Sequence, residues 1–187
     1  MSVLAVVAWC VFIFVMSAQP ADESTELSMG VVWHIIGFIV PGYDQMSPAD
    51  QLCWQQALDH PVRKTAHFLE YAMLGALMLN AVVRVMGDQG DGEDAGQEGA
   101  EQLEAGQAEA DQGGTHHLPA IFSKPTFIAW IFATAVAAFD ELHQVFVPGR
   151  AGMVSDIFLD AVGALVGVLL ATLVGRLISR KSTHRAR

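Results

Sequence analysis

RKTAHFLEYAMLGALMLNAVVRVM, Arg63 to Met86, decides the fold. From Ala66 to Met86 it is an apolar run, of the ~20 residues needed to cross ~30 Å of hydrocarbon as a helix. Its opening is the opposite, with Arg63, Lys64, His67 and Glu70 crowded at one end. On a helix, residues three or four apart are neighbours, so Arg63, His67, Glu70 and Tyr71 form a single stripe. Charged groups beside a hydrocarbon core are costly and are retained for a task. The polar end of this helix is therefore where function is to be sought.

Three other segments read the same way: Val3 to Met16, Pro125 to Phe139 continuing as helix towards Val147, and Asp156 to Ile178. Together they predict an all-α integral membrane protein, a four-transmembrane-helix bundle forming one domain over residues 1–187. A signal peptide is the alternative for the first segment. It lacks a basic leading region, and Met16 breaks the small-residue cleavage pattern, which favours a retained span. Arg176, Arg180, Lys181, Arg185 and Arg187 mark the C-terminal tail as cytoplasmic. Four crossings then put both termini in the cytoplasm of a cell (plasma) membrane protein, with the 19–62 and 148–155 connections facing outward. Counting from the inner charges, Glu70 is 14 residues from Arg84, and Asp140 and Asp160 are each 16 from Lys124 and Arg176. Ser17 stands 16 from Met1. At ~1.5 Å per residue all four polar groups lie roughly 21–24 Å along their helices, at matched depth near the outer surface.

The chain has 187 residues, 52% of them hydrophobic, and a mean hydropathy of +0.38, too apolar for an ordinary soluble domain. Its charge of −10 is local. Nine acidic residues fall between Asp88 and Asp111, and without them ten basic residues face eleven acidic ones, a net of −1. The stretch 87–118, rich in Gly, Asp, Glu and Gln, cannot bury enough apolar surface to offset its ordering entropy. It is expected to be a disordered cytoplasmic loop inserted between the second and third spans, with His116 and His117 as loop residues. Cys10 and Cys53 sit at different depths and predict neither a disulfide nor a zinc site. No phosphate-cradling glycine loop or basic-aromatic patch points to nucleic acid, and no cofactor is expected.

In the first outer connection, Met29 to Val40 is an apolar run interrupted only by His34. It is too short to span and predicts a short interfacial helix, with Trp33, Tyr43 and Trp54 suited to the headgroup level. Ser47 followed by Pro48 reads as a helix start. Asp59-His60-Pro61 reads as a second one, just before the second span.

A second polar motif, Asp140-Glu141-Leu142-His143-Gln144-Val145-Phe146-Val147-Pro148-Gly149-Arg150, ends the third segment. Asp140, His143, Gln144 and Val147 share a helix face, with Glu141 beside it. Asp156, Asp160, Gly163 and Gly167 share another on the fourth segment, where the glycines allow a neighbouring helix to approach closely.

These residues resemble the VanZ-like family of membrane proteins, named for a teicoplanin-resistance protein. The resemblance rests on Arg63-Lys64-x-x-His67-Phe68-x-Glu70-Tyr71 with Gly75 following, and on Asp140-Glu141-x-His143-Gln144-x-Phe146-x-Pro148-Gly149-Arg150 with Asp156 and Gly163. Ser17-x-Gln19-Pro20, with Ser24 and Ser28 beyond, looks similar too. It covers most of the chain except the acidic stretch, which looks like an insertion. Asp160 stands where the pattern leads one to expect Asn. The resemblance implies a four-helix membrane protein linked to lower susceptibility to teicoplanin-type glycopeptides; it implies a phenotype rather than a reaction.

The residues themselves favour an outward-facing site for an anionic lipid-linked envelope molecule. Arg offers a planar fork for phosphate and Lys a point charge, so Arg63, Lys64 and Arg150 are the headgroup candidates. Tyr71, Asp140, Gln144 and Asp156 join them as binding candidates. His67, Glu70, Glu141 and His143 are candidates for proton transfer, because burial and neighbouring charges move such groups towards neutral pH. Binding without chemistry fits equally well. A membrane lipid is the expected partner, and the resemblance adds a lipid-linked cell-wall precursor. A metal-dependent hydrolase or transferase is one alternative, from the i,i+3 spacing of His67 with Glu70 and of Asp140 with His143. A membrane adaptor acting through its acidic loop is another. A purely structural alternative pairs Arg63 with Asp156 and His67 with Glu141, and gives Arg150 the capping of a turn.

Overall fold

The computed structural model describes residues 2–101 and 123–185. They form five helices, α1 (Ser2–Ser17), α2 (Ala21–Ile39), α3 (Pro48–Glu101), α4 (Lys124–Gln144) and α5 (Val154–Arg185), with a 3₁₀ turn at Tyr43–Gln45. Among the described residues there is no strand. Three stretches are long and apolar enough to cross a membrane: Pro48–Gly87 in α3, Lys124–Gln144 (α4) and Val154–Ile178 in α5. Helix α1, at 16 residues, and Met29–Ile39 within α2 are shorter apolar helices. The chain is thus an all-helical membrane protein.

Among the described residues, helices α3 and α5 make the most extensive contact, and the register of Gly163 at Phe68 and Gly167 at Ala72 runs them parallel. Three glycines explain how they approach. A Cβ on Gly163 would meet the Phe68 carbonyl, one on Gly167 the Ala72 carbonyl, and one on Gly75 the Ala164 carbonyl. Backbone rests on backbone along this seam, the packing that small residues permit where helices share a lipid environment. Helices α1 and α4 close the bundle around a cluster of Val6, Ile13, Tyr71, Leu74, Ala133, Ala137 and Ala164. Large apolar side chains such as Leu4, Val11, Phe127, Phe139, Phe158 and Leu173 point outward, where a bilayer would solvate them.

Helix α2 begins directly after Pro20 and is longer than the apolar run from Met29 predicts. Gly42, at φ 76°, reverses the chain in a left-handed conformation that side-chain-bearing residues rarely adopt. Ser47 then starts α3 as expected: its Oγ accepts the Asp50 N–H at 3.2 Å and donates to the Asp50 carboxylate at 2.7 Å. Val32, Ile36, Val40 and Tyr43 bury themselves against Leu58 and Val62, so α2 and the beginning of α3 form a hairpin. Gln55 donates to the Tyr43 hydroxyl at 2.8 Å and Gln51 to its carbonyl at 3.0 Å, fixing the bend.

Asp59-His60-Pro61 does not start a helix. Helix α3 runs through Pro61 without a break. The Asp59 carboxylate pairs with Arg63 at 2.6 Å, one turn on, instead of capping a terminus. Leu58 and Val62, which flank Pro61, both pack against α2 and brace the helix across the missing N–H. At its far end α3 continues to Glu101, into the acidic stretch. The remainder of the expected loop, with His116 and His117, lies outside the described residues.

Candidate functional site

The polar residues gather where the 63–71 stretch of α3, the end of α4, the beginning of α5 and the end of α1 meet. Three layers can be distinguished. The innermost holds Tyr71, Asp140 and Asp160, with relative exposures of 0%, 0% and 1%. Gln144 donates to Asp140 Oδ2 at 3.1 Å, but Asp140 Oδ1, both Asp160 oxygens and the Tyr71 hydroxyl have no hydrogen-bond partner.

Above them lies a rim. Lys64 on α3 pairs with Asp156 on α5, and Ser155 donates to the same carboxylate oxygen at 3.1 Å. Lys64, not Arg63, is therefore the partner of Asp156. Glu141 accepts the backbone N–H of Met153 at 2.8 Å, immediately before α5. A carboxylate there satisfies an orphan donor and complements the positive end of the helix. Gly152 lets the loop lie against the Glu141 carbonyl.

The third layer is built on Arg150. Gly149, at φ 75°, turns the chain so that this guanidinium reaches back across the bundle. It donates to the Gln19 carbonyl at 3.0 Å, the Met16 carbonyl at 3.5 Å and Gln144 Oε1 at 3.5 Å. Arg150 thus binds a carbonyl in the last turn of α1 and another just beyond it, where the helix dipole favours a cation. It does more than cap its own turn. Burial pushes its pKa down from the usual value, Arg63 adds to that effect, and Asp140, Glu141 and Glu70 oppose it.

Beside Arg150 a cavity of about 530 Å³ opens between the end of α1, α2 and α3. Its walls are mostly apolar, including Met16, Val31, Ile35, Leu58 and Val62, and its polar groups include Arg63, His67, Glu70 and Arg150. His67 Nδ1 and Glu70 Oε2 stand 3.7 Å apart between this cavity and the buried group, and both lie within electrostatic range of Asp140. His67 is a neighbour of Glu70, not of Glu141.

His143 goes elsewhere. Its ring packs at a tilt against Phe14, 5.7 Å between ring centres, and lines a shallow groove with Val7, Cys10 and Val11 of α1. The structure therefore joins Arg63, His67, Glu70 and Arg150 around a cavity, and Tyr71, Asp140 and Gln144 behind them. Lys64, Glu141 and Asp156 sit at the rim, and His143 is separate. Among the described residues, no group of three or more His, Cys, Asp or Glu is arranged to hold a metal.

Two residues that motif reading passed over position this site. The Trp9 indole donates to the Glu70 carbonyl at 2.9 Å, and Trp130 donates to the Ala161 carbonyl at 2.9 Å. Each ties one helix to the backbone of another. The signal was present in the sequence, since a tryptophan inside an apolar helix needs an acceptor for its N–H.

Fold and site define an α-helical membrane protein with a polar interior collected at one end of its spans. The family model for VanZ/LLP1 matches residues 2–175. The chain belongs to that family. No curated protein and no solved structure matches it.

Proposed function

We propose that this protein is a four-crossing VanZ-like protein of the cell membrane, with both termini in the cytoplasm, that binds an anionic lipid-linked molecule of the cell envelope from the outer leaflet. By this reading α1 is the fourth crossing. It is short for the task, at ~24 Å of helix, but it runs along α3 from Val6 to the Arg150 clamp at Met16. The basic residues after Ile178 favour a cytoplasmic C-terminus, which turns the polar cluster outward.

One observation carries the proposal: the cavity joins an apolar wall to cationic groups. A volume of about 530 Å³ falls in the ~300–1,000 Å³ range of small-ligand sites. The apolar wall suits a hydrocarbon chain. Arg63 and Arg150 suit the phosphate that links such a chain to its headgroup, with Lys64 at the rim as a third charge. His67 and Glu70 face the same space and are the groups placed to move a proton on a bound headgroup. Sequestering or modifying such a molecule would lower susceptibility to teicoplanin-type glycopeptides.

Native mass spectrometry of the purified protein tests this. The wild type is expected to carry a phosphate-containing lipid that Arg150→Ala and Arg63→Ala lose, while all three accumulate equally in the membrane. Equal lipid retention by the variants would refute the reading.

A further inference from the structure

The buried group behind the cavity has an acceptor problem. Asp160 lies in the bundle interior with neither carboxylate oxygen hydrogen-bonded. The charges that reach it are three carboxylates (Asp140 and Glu141 on α4, Asp156 on its own helix) and one cation, Lys64 on α3. Lys64 is already engaged by Asp156. From α3 the Tyr71 hydroxyl, fully buried, also faces Asp140 and Asp160. Three carboxylate oxygens without a hydrogen-bond partner thus share this interior with one buried hydroxyl. Uncompensated buried charge of this kind is far more costly than any single hydrogen bond.

We propose that Asp160, Asp140 and Tyr71 form a site for one exchangeable proton, held in the membrane interior and supplied through Glu70 and His67 from the cavity. Binding one proton forms an O–H bond on the Asp160 carboxylate and removes one negative charge. No co-reactant is needed, since water delivers the proton and takes it back. The neutral carboxyl then becomes a donor, as the Tyr71 hydroxyl already is, so two donors face the remaining acceptors. A protonated Asp160 has the shape and donor capacity of an asparagine, with one difference: Asn cannot release its proton. Glu70 and His67 lie within electrostatic reach of Asp140 on one side and line the cavity on the other. Ionisable chains of this type are the usual form of proton relays inside membranes. The site therefore gives the cavity a proton store of its own.

Infrared spectroscopy of the full-length protein in nanodiscs, without added ligand, tests this directly. At neutral pH the wild type should show a protonated-carboxyl C=O band that shifts in deuterated water. Asp160→Asn should remove that band, and Tyr71→Phe should move its frequency. Absence of the band in the wild type, or an unchanged band in Asp160→Asn, would overturn the proposal. A thermal midpoint that rises with sodium chloride but not choline chloride, and only with Asp160 present, would also overturn it in favour of a metal cation. Should Asp160→Asn fail to accumulate, the deuterium shift in the wild type and the Tyr71→Phe frequency still decide. The proton site stands apart from the lipid reading, because Arg150→Ala should lose lipid and keep the band.

Discussion

Helix α3 meets α5 and α2 in opposite ways. Against α5 it presents Phe68, Ala72 and Gly75, and three glycines bring backbone onto backbone with no room for a methyl group. Against α2 it presents Leu58, Val62 and Ala66, and the partner offers Val31 and Ile35; between them remains a cavity of about 530 Å³. Small residues bring backbones together at one interface, whereas at the other Leu58 and Val62 meet α2 through side chains and leave the cavity beside them. The difference separates scaffold from site within one helix. The face that must be exact is built from glycine, whereas the face that admits a ligand is built from side chains that can give way.

The largest expected effect breaks the tight side. Gly167→Leu places a side chain where the Ala72 carbonyl already is, and backbone cannot yield as a side chain can. A cost of about 3 kcal/mol follows from overpacking of this kind, read as loss of the monodisperse peak in size-exclusion chromatography. Ala66→Leu, on the cavity side of the same helix, should leave that peak intact and reduce bound lipid. If the two variants behave alike, the distinction between the faces fails. Arg150→Ala comes next. It strips a charged donor from the Met16 carbonyl of α1, the Gln19 carbonyl just beyond it and Gln144, a loss of about 2 kcal/mol visible in the thermal midpoint. Arg150→Lys should restore little, because one ammonium cannot reproduce the three-way fork.

Apolar length and polar spacing made the helices and the face of each polar residue legible. The stripe of Arg63, His67, Glu70 and Tyr71 follows from helix geometry alone, and so does the glycine face of Gly163 and Gly167. What escaped was long-range choice. Spacing could not say that Lys64 would outcompete Arg63 for Asp156, because adjacent residues on a helix differ by a rotation that only the partner's position resolves. It could not say that His143, one turn from Asp140, would turn to Phe14, since that depends on where α1 packs. The continuity of α3 through Pro61 was hidden for the same reason: the bracing comes from α2, not from the local sequence.

That divergence of the two histidines sharpens the comparison further. His67→Ala should weaken lipid retention several-fold, because its ring lines the cavity. His143→Ala should leave retention unchanged and lower the thermal midpoint only slightly, through the lost contact with Phe14. A matching loss of lipid in both variants would mean that the α1 groove and the cavity act as one site.

The smallest effect is expected at the rim, where the Lys64–Asp156 pair bridges α3 and the beginning of α5. Both side chains keep about a quarter of their surface exposed, 25% and 22%, so solvent screens their attraction. Pairs of this kind contribute about 0–1 kcal/mol. The glycine seam below already fixes the spacing of the two helices, so Lys64→Met should change the thermal midpoint very little. Its effect should appear instead as weaker retention of anionic lipid, with a smaller dependence on salt, because a cation near the headgroup acts over about 8 Å at physiological ionic strength. A large fall in stability from Lys64→Met would show that the seam does not hold α3 and α5 together unaided, and that the rim belongs to the scaffold.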